Sequence, residues 1–171
     1  MKTVIITMLI GMGCLSANSQ IPQPDPDTTA KHFLTVASIG NLQEISAGQL
    51  ALQKARLSDV KSFAQMMIKD HGQAEQQLKD LAQQQHIGLP ETATGGIKPD
   101  IGLEKATAKF DKVYVHAMVS GHRSTVEMFE NYATTGKNPS VKTFAQQMLP
   151  TLKAHLAAIT DLDKQINLNN H

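Results

Sequence analysis

The sequence predicts an all-α protein, a four-helix bundle built from two helical hairpins. Three observations predict it. Aromatic residues make up 4% of the 171 residues and tryptophan is absent. A core must then be assembled from Leu, Ile, Val, Met and Ala, which suits packed helices better than stacked sheets. Apolar residues recur in steps of three and four along four stretches, about 30–55, 59–86, 104–135 and 140–167. Two eight-letter strings nearly coincide: VKSFAQMM begins at Val60, and VKTFAQQM begins at Val141, 81 positions later.

Taken in order, residues 1–19 read as a secretory signal. Lys2 supplies the positive end, Val4 to Met12 form an apolar run too short to span a bilayer, and Ala17 and Ser19 offer small residues for cleavage before Gln20. This places the mature protein outside the cytoplasm, in the periplasm. Cys14, the single cysteine, lies inside that segment. Cleavage after Ser19 leaves no thiol, hence no disulfide and no thiol catalysis. The alternative is a lipid-anchored Cys14 tethering the chain to the outer membrane, although the usual aliphatic residue three places earlier is missing. Residues 20–30 carry three prolines and read as an extended tether. The helical domain spans 31–167.

Within that domain the first break, at RLSDVKSF, offers Ser58 or Asp59 as a helix N-cap. The second, at GKNPSVKTF, offers Gly136 as a stop and Pro139 or Ser140 as a start. Short turns make antiparallel neighbours, so helices one and two form one hairpin and helices three and four another. Between them, IGLPETATGGIKPDIG is rich in Gly and Pro and reads as a loop. The 81-residue offset extends backward without a gap: Phe33 matches Tyr114, Gly40 matches Gly121, and Ile45 matches Val126. Each hairpin is one copy of a duplicated unit. The connecting loop can cover roughly 60 Å, more than the roughly 40 Å of a helix of this length, so a ferritin-like crossover and an up-down-up-down bundle are both open.

Composition also excludes functions. The net charge is +1 and the mature region holds no basic run, so nucleic acid is not a partner. No Gly-rich phosphate loop and no Ser-His-Asp or Cys-His set can be argued, and no reaction is predicted.

Each helix stripe holds one residue of the metal-ligand type: Glu44, His71, His122 and His155. At 1.5 Å per residue, Glu44 and His71 stand roughly 20 Å from the first turn, and His122 and His155 roughly 25 Å from the second. Both heights are near mid-bundle, so the four converge in one layer. Buried carboxylates and imidazoles need partners. Either an ion supplies them, with Zn, Cu or Fe suited to imidazole and carboxylate, or the four bond one another and trapped water. The first solution makes a single-metal binding protein. The second makes a structural or interaction module of the envelope with an unidentified protein partner. A third reading, a hydrolase or oxidase with an open metal position, needs the same ion. Met67 and Met118 stand four residues before His71 and His122; thioether beside imidazole suits copper, and Met at helical spacing equally fills core gaps. Asp70 and Glu75 flank His71, and Glu75 is either an outer hydrogen-bond acceptor or part of a solvated face. Pro150 is expected to kink or restart the fourth helix. His32, His86, His116 and His171 fall off the stripes and read as surface residues.

The segments FLTVASIGNLQEISAGQLALQKA, VKSFAQMMIKDH, FDKVYVHAMVSGH and FAQQMLPTLKAHL, in that order, resemble the bacterial family catalogued as domain of unknown function 4142, over about residues 31–163. The resemblance implies a ferritin-like, exported protein, often labelled outer-membrane, without an established role. Its matching positions are Glu44, Asp70, His71, Phe110, Asp111, Tyr114, His122, Pro150 and His155, which adds Asp111 and Tyr114 as outer or alternative ligands. Di-iron members of the wider ferritin-like group use Glu-x-x-His on two helices. Here Ile68 and Leu152 take the Glu places, so a ferroxidase is not expected.

Overall fold

The computed structural model describes residues 28–89 and 97–168. Among these residues, five helices are present: α1 (Thr28–Lys54), α2 (Ser58–Gln84), α3 (Ile101–Lys105), α4 (Phe110–Thr135) and α5 (Pro139–Leu168). The four long helices are those expected from the periodicity. α1 begins inside the stretch expected as tether. The signal segment 1–19, the tether as far as residue 27, loop residues 90–96 and His171 lie outside the described residues.

α1 packs mainly on α2, and α4 mainly on α5, with α1 against α4 and α2 against α5 across the seam. Every stripe position named above is buried or half-buried. The duplication is geometric as well as textual. Val60 and Val141 are both fully buried, as are Ala64 and Ala145, and α2 and α5 begin 81 positions apart.

Side-chain contacts fix the topology. The α1–α2 turn is held by Asp111 at the start of α4, whose carboxylate accepts from the backbone N–H groups of Arg56 and Leu57 at 2.9–3.2 Å. The far end of α2 meets the α4–α5 turn, where the Asn138 side-chain amide donates to Gln85 Oε1 at 2.9 Å. The two turns therefore sit at opposite ends. The segment after α2 must return the length of the bundle before α4 begins, which is the crossover of ferritin-like bundles. Neighbouring helices are antiparallel throughout, and a pseudo-twofold axis across the bundle relates the hairpins.

Three local expectations change. The N-cap of α2 is Leu57, which makes no side-chain cap bond, because Asp111 already occupies the turn. The third expected helix does not start near 104: a short α3 ends there, and Ala106 turns extended. Lys54 is the cause, since its ammonium takes the carbonyls of Glu104 and Ala106 and lies 5.9 Å from the Phe110 ring centre. Finally, the helix does not restart at Pro150, which is exposed and lies inside α5. Gly136 does end α4, through close approach: a Cβ there would lie 2.6 Å from the Tyr132 carbonyl oxygen.

The apolar core is divided. One cluster, around Phe63, Met67, Phe110, Tyr114, Met118 and Ile159, lies toward the α1–α2 turn. The other, around Phe33, Leu78, Phe129, Tyr132, Val141 and Phe144, lies toward the α4–α5 turn. Phe33 stacks on Tyr132 at 4.2 Å and meets Phe129 edge-on at 4.9 Å in the second cluster. Between the two clusters lies a polar layer.

Candidate metal centre

His71 on α2, His122 on α4 and His155 on α5 meet in that layer, and these residues are 5%, 1% and 3% exposed. Each pair of ring centres is 5.6 Å apart. One ring nitrogen from each lies within 4.8 Å of the other two. Three imidazoles holding one ion at about 2.0–2.1 Å need nitrogens about 3.3–3.5 Å apart, so a small inward adjustment would complete such a site.

The outer nitrogen of each ring is already committed. His122 Nδ1–H donates to the Met118 carbonyl at 3.0 Å, and His155 Nε2–H donates to Asp70 Oδ2 at 3.0 Å; neither oxygen can donate in return. For His71 the assignment runs through a chain. The Asn41 amide NH2 donates to Glu75 Oε2 at 3.3 Å, which turns Asn41 Oδ1 toward His71, so that Nδ1–H donates to it at 2.9 Å. Glu75 is itself fixed by Ser38 Oγ–H at 2.8 Å and Lys79 at 3.5 Å. The remaining nitrogens, His71 Nε2, His122 Nε2 and His155 Nδ1, are buried and have no hydrogen-bond partner. All three are lone-pair acceptors, so they cannot satisfy one another. Each such group costs about 1–3 kcal/mol if left unmet.

Glu44 stands beside this triangle. Its Oε1 lies 3.7 Å from Nδ1 of His122, the ring nitrogen facing Met118, and its Oε2 is buried without a partner. Burial raises its carboxyl to about 7, so it resists ionising at neutral pH. A Cβ on Gly121 would lie 3.3 Å from Glu44 Oε1, so that glycine gives the carboxylate its room. Burial lowers His71 to about 3, with His122 and His155 contributing further. Burial likewise lowers His122 to about 4; its bond to Met118 opposes the shift and His155 adds to it. Both rings are neutral at pH 7, as metal ligation requires.

The other expected residues separate by role. Asp70 and Glu75 support His155 and His71, and Glu75, at 4% exposure, is not on a solvated face. Asp111 closes the α1–α2 turn and is no part of the layer's hydrogen bonding. Tyr114 is fully buried, and its hydroxyl lacks a partner. Burial raises its pKa, and the nearby Glu44 charge raises it further. Met67 and Met118 pack in the first apolar cluster. His32, His86 and His116 are exposed, as expected. Sequence reasoning missed Ser38 and Asn41. The available signal was three polar residues, Ser38, Asn41 and Glu44, at steps of three along one helix.

An open cleft of about 510 Å³ reaches this layer, with Glu44, Asp70, His71 and His155 among its lining residues.

Residues 15–162 match the family described as Domain of unknown function (DUF4142). No curated protein matches the chain. Among solved structures, CopM in its Cu(I)-bound form is similar at 20% identity and a TM-score of 0.66, over 80% of this chain and 96% of that one. CopM in the apo form gives 19% and 0.65 over 80% and 96%. A DUF305 fragment from Deinococcus radiodurans gives 14% and 0.69, over 83% and 99%. At these identities the likeness shows the fold.

Proposed function

Because this chain belongs to the domain of unknown function 4142 family, a description that supplies no activity, its role must be read from the site, and we propose that it binds a single transition-metal ion through His71, His122 and His155. The observation that carries the reading is the set of three buried ring nitrogens without partners, each opposite a nitrogen already committed to a hydrogen bond. Outer partners of this kind fix the tautomer and orientation of metal-binding histidines. Imidazole suits Cu, Zn and Fe. Three neutral nitrogens in a buried layer, beside a carboxyl that favours its proton, best match an ion of low charge that accepts three ligands, which is Cu(I). CopM, of the same fold, has been solved with Cu(I), Cu(II) and Ag. Glu44 is the acid available as a fourth ligand or charge partner when the ion is Cu(II), Zn or Fe.

The competing reading, an envelope interaction module whose layer is satisfied by internal hydrogen bonds and trapped water, must place a donor on each of those same nitrogens. Three buried acceptors in one layer cannot supply those donors to one another. No helix of the described residues is long and apolar enough to cross a membrane. The signal-like residues 1–19 support export to the periplasm, with Cys14 acylation as the route to an outer-membrane anchor. We expect no turnover chemistry of the chain alone.

Elemental analysis of untagged protein tests the proposal. We expect one ion per chain, lost in H71A and in H122A, and a rise in melting temperature when Cu(I) is added to metal-free protein. Metal-free protein that shows no thermal shift with Cu(I), Zn or Fe would refute it.

A further inference from the structure

The cleft that reaches the histidine layer lies across the seam between the hairpins, since all four long helices line it. His71 and His155 are among its lining residues, but their inward nitrogens are buried. An ion entering the cleft is therefore held apart from the triangle until a ring or the seam moves, and it needs ligands of its own in the meantime. The two carboxylates that line the cleft are engaged at the layer: Asp70 Oδ2 accepts from His155, and Glu44 Oε2 is buried. The soft donors are two thioethers, Met128 on α4 and Met148 on α5, both half-buried in the cleft wall. Met128 stands six residues after His122, and Met148 stands seven before His155. On antiparallel helices these offsets run the same way, toward the α4–α5 turn. At 1.5 Å per residue the two methionines sit about 9 and about 10 Å along the bundle from the layer, at one height. Each packs against the second apolar cluster, and the three rotatable bonds of a methionine let its sulfur turn without moving the helix. Met67 and Met118, nearer the histidines in sequence, are buried in the first cluster and do not line the cleft.

We propose that Met128 and Met148 form an outer, exchangeable site for a soft monovalent ion, Cu(I) or Ag(I), from which the histidine triangle is loaded. The ion class follows from the donors. Thioether sulfur is soft and uncharged, so it holds a soft ion of low charge. It offers little to Zn(II), which takes thiolate, imidazole and carboxylate. Two thioethers with no charged partner make a weak site, which suits a stage the ion must leave. The transfer exchanges thioether for imidazole and changes no oxidation state. This inference rests on the histidine site as the destination, but the thioether pair can be read by itself.

The test uses the full chain, stripped of metal, and its double variant M128L plus M148L, a change that conserves volume. Cu(I), supplied as its acetonitrile complex without oxygen, is mixed with each protein. An excess of chromogenic chelator added at intervals takes any ion not yet held in the layer. Zn loading is followed in the same way. We expect the double variant to load Cu(I) about ten-fold more slowly or worse, to end at the same one ion per chain, and to load Zn at the parent rate. Equal Cu(I) rates in the two proteins, or Zn slowed as much as Cu(I), overturns the proposal. A second measurement reads the outer site directly. In H71A, confirmed folded by thermal unfolding, Ag(I) should shift the methyl NMR signals of Met128 and Met148 and leave those of Met67 and Met118 in place. No shift at Met128 and Met148, or equal shifts at all four, also overturns it. A parent chain that takes up no ion refutes the histidine reading and the loading route with it. A parent that takes one ion at a rate the double variant matches refutes the outer site alone.

Discussion

At the scale of single residues, the layer depends on side chains that would never touch an ion. Glu75 orients Asn41, Asn41 fixes the proton on His71, and the lone pair of His71 Nε2 is thereby turned inward. N41A should therefore weaken metal binding about 10- to 100-fold while keeping a stoichiometry of one, read by competition with a chelator of known affinity. Unchanged affinity would show that His71 does not need this partner. The three histidines were legible in the sequence because each interrupts an apolar stripe. Their supports were not. Ser38 and Asn41 sit on the flank of the α1 stripe, where polar residues ordinarily meet water, and only the packing of α2 against that flank buries them. Asp111 was misjudged for a similar reason: its partners are backbone N–H groups of the other hairpin, which leave no signature in the local sequence.

At the scale of elements, the ends of the helices show what periodicity cannot supply. The last turn of α2 closes by Ile87 N–H donating to the Ala82 carbonyl at 2.8 Å, with His86 at φ 54°. That is a Schellman-type cap with a side chain where glycine is usual. The left-handed conformation costs a non-glycine residue about 1–2 kcal/mol, so H86G should stabilise the protein by about 1 kcal/mol, read as a higher urea midpoint at constant slope. A fall in the midpoint would mean that the imidazole of His86 makes a compensating contact. The four long helices could be read from sequence because each carries its own stripe. The break between α3 and α4 could not, because it is imposed by Lys54, more than fifty positions away.

At the scale of the whole molecule, the buried layer ties stability to pH. His71 and His122 titrate at about 3 and about 4 in the fold, against an ordinary 6.5. Below pH 6.5 the unfolded chain binds protons at these sites that the folded chain does not, so stability falls as pH drops. Glu44 acts in the opposite sense, since its folded value of about 7 exceeds the ordinary 4.5. From 6.5 down to 4.5 the two histidines outweigh one carboxyl, and unfolding takes up about one proton. Below 4.5 the carboxyl is protonated in both states, but folded His122 begins to take its own proton near pH 4, so the uptake stays at about one and falls away below about 3. Metal-free protein should thus lose stability at a nearly constant slope from about pH 6 to about pH 3.5 and level off below about 3, measured by urea unfolding across that range. A flat profile would mean that the imidazoles are solvated.

His71 belongs to the first hairpin, while His122 and His155 belong to the second. An ion shared among them would act as a rivet driven through the seam between two halves that otherwise lie side by side. Parting the halves withdraws a third of its grip in one motion, whereas loosening either half internally leaves two nitrogens in place. If the proposed ion is bound, its unloading would be a matter of leverage at that seam, and a receiving molecule able to wedge it open would empty the site faster than a chelator waiting in solution.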